Sequence, residues 1–505
     1  GNVMNKINIF DLKSGTDIRG TAISKNNEVT LTDEVVAKIA KAFAVLLKCR
    51  VGKNNVTIAV GHDSRISAER LKNSVCAALA KVDVKVISIG LCSTPSMFMI
   101  TKDEELKVDG SIMLTASHHP SDKNGLKFFT SEGGVDGKDI NEILEIANTN
   151  EFENGNQGQI VQFDYMPRYC QILIDKVKEK TGEETPLKGF KIVVDAGNGA
   201  GGFYADKVLK PLGADTTGSQ FLNPDGNFPN HIPNPENEVA MQSISKCVLA
   251  NHADLGVIFD TDVDRAAAVG RDGRELNRNK LIAVISAILL KEERGGTIVT
   301  DSITSIGLKK FIIQNEGIHH RFKRGYKNVI DEAIRLNKAG IYTPLAIETS
   351  GHAALKENYF LDDGAYLVTR LIIEMAKLKK QGKELTDLIA DLEMPKEEIE
   401  IRMGFKDADF KQYGLGVLED FRRHASEIDG LSLELPNFEG VRVNFDENNG
   451  NGWLLLRMSL HDPIMPLNIE SNVDGGCKII ARKFYAMIKQ HKGLNVEELI
   501  KYIGD

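Results

Sequence analysis

The 505-residue sequence has no long apolar run, no paired cysteines and no low-complexity tract. Its longest apolar stretch, Leu281 to Leu290, is interrupted by Ser286. That is far short of the ~20 residues a membrane span needs. It reads as a buried helix, and no membrane partner is expected. The N-terminus lacks a charged segment leading into an apolar one, so no secretory signal is expected. Gly1-Asn2-Val3 ahead of Met4 reads as an added sequence. The six cysteines (Cys49, Cys76, Cys92, Cys170, Cys247, Cys477) stand singly, without a CxxC pair. A disulfide scaffold is excluded, and a reducing cytoplasmic setting is the expectation.

Charge of one sign is also missing from any one place. Formal net charge is -8, with acidic and basic residues mixed along the chain. A nucleic-acid partner would require a basic patch or stripe, so none is expected. An anionic substrate would then depend on a few placed cations.

What is present is an ordinary globular composition, 42% hydrophobic and 27% charged, in a chain long enough for several domains. One pattern recurs three times. Thr57-Ile58-Ala59-Val60, Lys191-Ile192-Val193-Val194 and Thr297-Ile298-Val299-Thr300 are short β-branched runs. Each enters a polar turn followed by helix-compatible sequence, the signature of βαβ units. Three similar α/β domains with mixed, largely parallel sheets are expected. Polar breaks near residues 182–186 and 292–296, and a change of character near Met394-Pro395, place them at 1–183, 184–294 and 295–397. Residues 398–505 read as a strand, a helix, and a hairpin from Val441–Phe445 through Asn448-Asn449-Gly450 to Trp453–Leu460. A C-terminal α+β domain, helices on an antiparallel sheet, is expected there.

Two segments bear chemistry. Phe259-Asp260-Thr261-Asp262-Val263-Asp264-Arg265 sits between the apolar runs Leu255–Phe259 and Ala266–Val269. Three carboxylates on alternating positions repel one another unless a cation lies between them, and all-oxygen ligation suits Mg²⁺. An EF-hand would need Gly at loop position six and Glu at twelve, where Arg265 and Arg271 stand. A solvated turn has no reason to be wedged between two buried runs.

The second segment is Leu114-Thr115-Ala116-Ser117-His118-His119-Pro120, a polar loop after an apolar strand. Asn124-Gly125 is expected to turn the chain back into a strand from Leu126 to Phe129. On that strand Lys127 points opposite to Leu126 and Phe128 and can face the loop. A hydroxyl beside a cation suits a phosphoryl acceptor, although most such serines only bond their own turn.

Together these segments resemble the α-D-phosphohexomutases (phosphoglucomutase, phosphomannomutase and phosphoglucosamine mutase). The family's serine loop looks like T-A-S-H-N-P and its metal loop is D-x-D-x-D-R. The resemblance extends along the chain in order: Ser14 to Gly20 with Arg19, Gly61-His62-Asp63-Ser64-Arg65, Thr94-Pro95, Glu348-Thr349-Ser350-Gly351-His352, Asp362-Asp363-Gly364, and Arg457 to Pro463.

The resemblance implies four domains around a central cleft and a hexose 1-phosphate/6-phosphate interconversion through phosphorylated Ser117. Mg²⁺ would be held by Asp260, Asp262, Asp264 and a phosphoserine oxygen, with a hexose 1,6-bisphosphate as intermediate and activator. Lys127 and His352 are the acid/base candidates, and Arg19 and Arg265 add positive charge. Glu348 and Ser350 would bond two sugar hydroxyls. His118 and Lys327 would contact substrate, and Arg457, Ser459 and His461 would clamp its phosphate. Partners are then a hexose phosphate and, at most, a second copy, as monomer or homodimer.

His119 replaces the Asn of the serine loop, and Leu460 and His461 replace the small residue and Thr of the clamp. The motifs leave glucose, mannose and glucosamine open as the sugar. Two other readings are a non-catalytic sugar-phosphate sensor and a dinucleotide-binding enzyme. The latter rests on Gly197-Asn198-Gly199-Ala200-Gly201-Gly202, with Asp215 as the ribose acid. His319-His320, adjacent and without metal-ligand neighbours, reads as core or surface.

Overall fold

A computed structural model describes residues 7–149, 151–152, 155–406, 409–459 and 462–504. Residues 1–6, and Leu460 and His461 of the expected phosphate clamp, lie outside the described residues. The chain forms two compact units, Gly1–Asn277 with Ser350–Asp387, and Arg278–Thr349 with Leu388–Asp505. Among the described residues no helix is long and apolar enough to cross a membrane.

The first unit opens with an eight-stranded mixed sheet. Its parallel centre joins Gly110–Leu114, Val56–His62, Val84–Leu91 and Ile160–Gln162. Lys123–Thr130 and Asp17–Thr21 add on antiparallel. Helix Asp33–Val51 is started by Thr32, whose side chain accepts from Val35 N, and stopped by the left-handed Gly52. With Ala68–Lys81 it covers one face of the sheet, and Val35, Ile39, Phe43, Leu71 and Leu79 share the core with Ile58, Val86 and Phe128.

The expected turn at Asn124-Gly125 is not there. Both residues lie inside strand Lys123–Thr130, and the chain reverses earlier, where His119 N bonds Ala116 O and Lys123 N bonds Pro120 O. Asn124 is fully buried and donates to Ser67 Oγ at 2.8 Å, so its polarity serves a core contact rather than a turn.

The second sheet of this unit runs Glu275–Leu276, Ala266–Gly270, Leu255–Phe259, Ile192–Asp195. Strands Leu255–Phe259 and Ala266–Gly270 are antiparallel neighbours, and the acid loop is their connection. The glycine-rich turn 197–202 packs against that connection. A Cβ on Gly199 would meet Thr261 O at 2.6 Å, and Ala200 N donates to Thr261 O. A short π-helix, Tyr204–Leu209, follows in place of an ordinary α-helix. These glycines admit the acid loop's backbone.

In the second unit, Ile318–Arg321, Thr297–Thr300 and Leu345–Ile347 form a parallel trio. Residues 397–471 supply a five-stranded antiparallel sheet ordered Glu397–Gly404, Ile464–Ser471, Gly452–Leu456, Val441–Phe445, Leu431–Leu433. Helices Phe410–Ser426 and Gly476–Ile488 bury Phe421, Ile480 and Phe484 against it. The α+β character is as expected. Beyond the expected strand and hairpin the sheet includes a further strand, Ile464–Ser471, and the second hairpin strand ends at Leu456.

Candidate active site

Ser117 sits where the apolar strand Gly110–Leu114 runs out. It is 6% exposed and left-handed at φ 50°, a region costly for a residue with a Cβ. Its N–H donates to Thr115 Oγ1 at 3.0 Å. Leu126 and Phe128 of the returning strand enter the core, which leaves Lys127 on the opposite face. Lys127 Nζ lies 3.3 Å from Asp264 Oδ2, 3.7 Å from Asp262 Oδ2 and 3.9 Å from Asp17 Oδ2.

The acid loop is nearly sealed from solvent: Asp260 and Asp262 are 0% exposed and Asp264 is 5%. Their ligand atoms lie within 4.8 Å of one another. Among the described residues, Asp262 Oδ1 and Asp264 Oδ1 have no hydrogen-bond partner. Thr94, the first residue of helix Thr94–Met99, fixes the loop, its hydroxyl donating to Asp262 Oδ2 and its N–H to Asp262 O.

Burial and mutual repulsion push Asp260 well up and Asp262 up to about 6. Burial also opposes ionisation of Asp264, yet Lys127 and neighbouring groups hold it below the usual carboxylate range. Buried, crowded, incompletely bonded carboxylates without nitrogen or sulfur are a fitting donor set for a hard divalent cation such as Mg²⁺.

Arg265 closes the acid loop. It is 3% exposed, with Nε 3.3 Å from Asp260 Oδ2 and Nη1 3.1 Å from Glu236 Oε1. Nη2 donates to His118 Nδ1 at 2.9 Å. A guanidinium only donates, so His118 accepts through Nδ1 and bears its proton on Nε2. The neighbour of Ser117 therefore touches the residue that ends the acid loop.

Arg19 donates from Nη2 to Asp17 at 3.2 Å and from Nη1 to His119 Nε2 at 2.6 Å. The rings of His118 and His119 stack 4.9 Å apart. His119, the residue that departs from the family loop, thus engages Arg19.

His352 pairs through Nδ1 with Asp362, and its backbone bridges Arg265. Burial lowers the imidazole pKa, but Asp362 outweighs this and raises it. His352 and Asp362 also lie within 4.8 Å of Asp264. Ser350 O accepts from Arg265 Nη1 at 3.3 Å, and Ser350 Oγ accepts from His352 N. The segment from Glu348 to His352 is divided, since Ser350 and His352 belong to the first unit and Glu348 to the second.

Within the second unit, Glu348 Oε1 accepts from Gly325 N at 2.6 Å. Lys327 lies in the first turn of helix Tyr326–Lys338, 3.3 Å from Asp331. Arg457 is 8% exposed; burial and the nearby Arg324 charge lower its pKa. Ser459 Oγ accepts from Asp462 N at 3.4 Å.

The sequence brought Ser117, Lys127 and the aspartates forward. It did not reveal Asp17, Glu236 or Asp362 as partners of Arg19, Arg265 and His352. Asp17 and Asp362 lie in motifs that the sequence singles out, Ser14 to Gly20 and Asp362-Asp363-Gly364, whereas Glu236 carries no local signal.

Comparisons agree on the lineage. Residues 12–154, 167–273 and 277–394 match α/β/α domains I, II and III of phosphoglucomutase/phosphomannomutase. The chain belongs to that family, a group of phosphohexomutases. It is 29% identical to a phosphoglucomutase of Neisseria gonorrhoeae, over 96% of this chain and 98% of the relative. It is also 29% identical to a phosphomannomutase/phosphoglucomutase of Pseudomonas syringae pv. tomato, over 94% of each. A solved phosphoglucomutase/phosphomannomutase family protein from Burkholderia thailandensis superposes with TM-score 0.78 at 26% identity, covering 95% of this chain and 97% of that one.

Proposed function

We propose that this phosphohexomutase interconverts hexose 1-phosphate and hexose 6-phosphate, with glucose and mannose phosphates as substrates, by relaying a phosphoryl group through Ser117. The observation behind this reading is that the acid loop is tied twice to the serine-loop segment, by Lys127 on the returning strand, 3.3 Å from Asp264, and by His118, bonded to Arg265.

Phosphoryl transfer depends mainly on positioning and charge neutralisation. Asp260, Asp262 and Asp264 would hold Mg²⁺, which when bound supplies positive charge beside the transferring group. Arg19, Lys127 and Arg265 add fixed cations. Phosphoserine 117 gives its phosphoryl group to a substrate hydroxyl, and the resulting bisphosphate, turned end for end, returns its other phosphoryl group. The attacking hydroxyl loses a proton and Ser117 Oγ gains one. Lys127 and the Asp362-supported His352 are the groups proposed to move those protons.

Glu348 and Ser350 are proposed to bond two sugar hydroxyls, and Lys327, Arg457, Ser459 and His461 the substrate's phosphate. Four domains divided at 183, 294 and 397, a trace of hexose 1,6-bisphosphate as activator, and a monomer or homodimer complete the reading. Six free thiols support a cytoplasmic setting.

A coupled assay with glucose-, mannose- and glucosamine-1-phosphate, containing Mg²⁺ and bisphosphate primer, tests the proposal. Turnover of the first two is expected. No turnover of any of them contradicts the enzyme reading, and preference for glucosamine-1-phosphate contradicts the substrate assignment.

A further inference from the structure

The mechanism above needs Ser117 Oγ to occupy one place in both half-reactions, yet Ser117 lies in an irregular loop at φ 50°. Such a conformation persists only where its surroundings over-determine it. The over-determination comes from the turn after strand Val56–His62. Arg65 is 2% exposed and directs its guanidinium into the centre of the serine loop. Nη2 donates to Ser117 O at 2.6 Å and His119 O at 2.8 Å, while Nη1 donates to Pro120 O at 2.7 Å and Lys123 O at 3.1 Å. Four carbonyls of one seven-residue stretch thus converge on one planar cation.

Asp63, fully buried, completes the arrangement. Its Oδ1 accepts from Arg65 N at 3.0 Å, and its Oδ2 lies 3.5 Å from Arg65 Nε. Oδ2 also accepts from Thr115 Oγ1 at 2.5 Å, the same hydroxyl that accepts from Ser117 N. Both the N–H and the C=O of Ser117 are therefore tied to this one turn. A loop of the second sheet closes over it: the Phe228 ring lies 5.3 Å from the Arg65 guanidinium. A Cβ on Gly226 would meet Ile66 N at 2.5 Å, so backbone rests directly on backbone.

We propose that Arg65, with Asp63 and Thr115, is the positioning residue that fixes Ser117 for phosphoryl transfer; it acts through the loop carbonyls and touches no substrate. This inference rests on the mutase reading. Arg65→Lys retains the charge but cannot reach four carbonyls with a rigid fork, and Thr115→Val retains the shape but removes the hydroxyl.

The test compares wild type, Arg65→Lys and Thr115→Val with glucose-1-phosphate and Mg²⁺. In parallel, the rate and amplitude of Ser117 labelling by radiolabelled glucose 1,6-bisphosphate are followed. Small displacements of a reacting group cost large factors, so kcat and the labelling rate constant should fall together, about 10²-fold in Arg65→Lys and about tenfold in Thr115→Val. KM should stay within about threefold of wild type, because the substrate's own contacts are untouched. Turnover within about twofold of wild type in either variant overturns the inference. So does a loss confined to labelling amplitude with an unchanged rate constant, which means only the folded fraction changed. If Arg65→Lys does not fold, Thr115→Val decides. A wild type that takes up no label contradicts the mutase reading itself, so the two failures are distinguishable.

Discussion

Lys127 Nζ lies 3.3 Å from Asp264 Oδ2, so a cation on the strand returning from the serine loop is held by an acid of the neighbouring sheet. The contact gives Lys127 two opposing effects, one on chemistry and one on metal binding. Lys127→Met should lower kcat by at least about 10²-fold, the scale of a lost acid/base group. It should also tighten Mg²⁺ binding, since a competing positive charge is removed from the acid loop. Steady-state kinetics and metal titration check the pair of effects. Weaker Mg²⁺ binding in the variant contradicts the assigned geometry.

Asp260, Asp262 and Asp264 are buried together with two carboxylate oxygens lacking hydrogen bonds among the described residues. A cation that binds only the folded chain must stabilise it. Mg²⁺ should raise the melting temperature of the wild type and leave Asp262→Asn nearly unmoved. Chelation should abolish turnover, and Mg²⁺ should restore it. Equal thermal shifts in both proteins would remove the acid loop from consideration.

His352 and Asp362 form a hydrogen-bonded pair within reach of Asp264. Residues that act as a unit give non-additive losses. His352→Gln and Asp362→Asn should each lower kcat by about 10-fold or more, and the double variant should be little worse than His352→Gln alone. Fully additive losses would mean that Asp362 does not work through the imidazole.

The sequence was most legible where chemistry and secondary structure share a short window. The acid loop lies between two apolar runs, and the structure makes those runs the antiparallel strands that aim it. Lys127 was placed correctly because strand alternation needs only its immediate neighbours. Contacts made across the fold were not legible. Nothing near Arg65 in sequence announces four carbonyls some 52 to 58 positions away. Asn124-Gly125 misled because that pair is the usual hairpin signal, whereas burial of Asn124 against Ser67 places it inside a strand. The G-x-G-x-x-G match had a packing cause, since Gly199 admits Thr261 of the acid loop.

His231 offers a pH test away from the reacting groups. Its Nε2 lies 2.9 Å from both oxygens of Asp195, and its Nδ1 bonds Ile232 O. Burial lowers the imidazole pKa, but Asp195 prevails and raises it. A histidine raised in the folded state stabilises fully below its unfolded value of ~6.5, and that contribution is lost as pH climbs through the folded value. The melting-temperature gap between wild type and His231→Gln should therefore be widest on the acid side of ~6.5 and narrow at alkaline pH. A gap that widens with rising pH contradicts the assigned charge state.

The most direct measurement is mass spectrometry of the wild type and Ser117→Ala after exposure to glucose 1,6-bisphosphate with Mg²⁺. The account predicts one added phosphoryl group on the peptide containing Ser117, its release on adding glucose-6-phosphate, and neither label nor turnover in Ser117→Ala. Full turnover in Ser117→Ala, or a phosphoryl group on another residue that is passed to substrate, would contradict it.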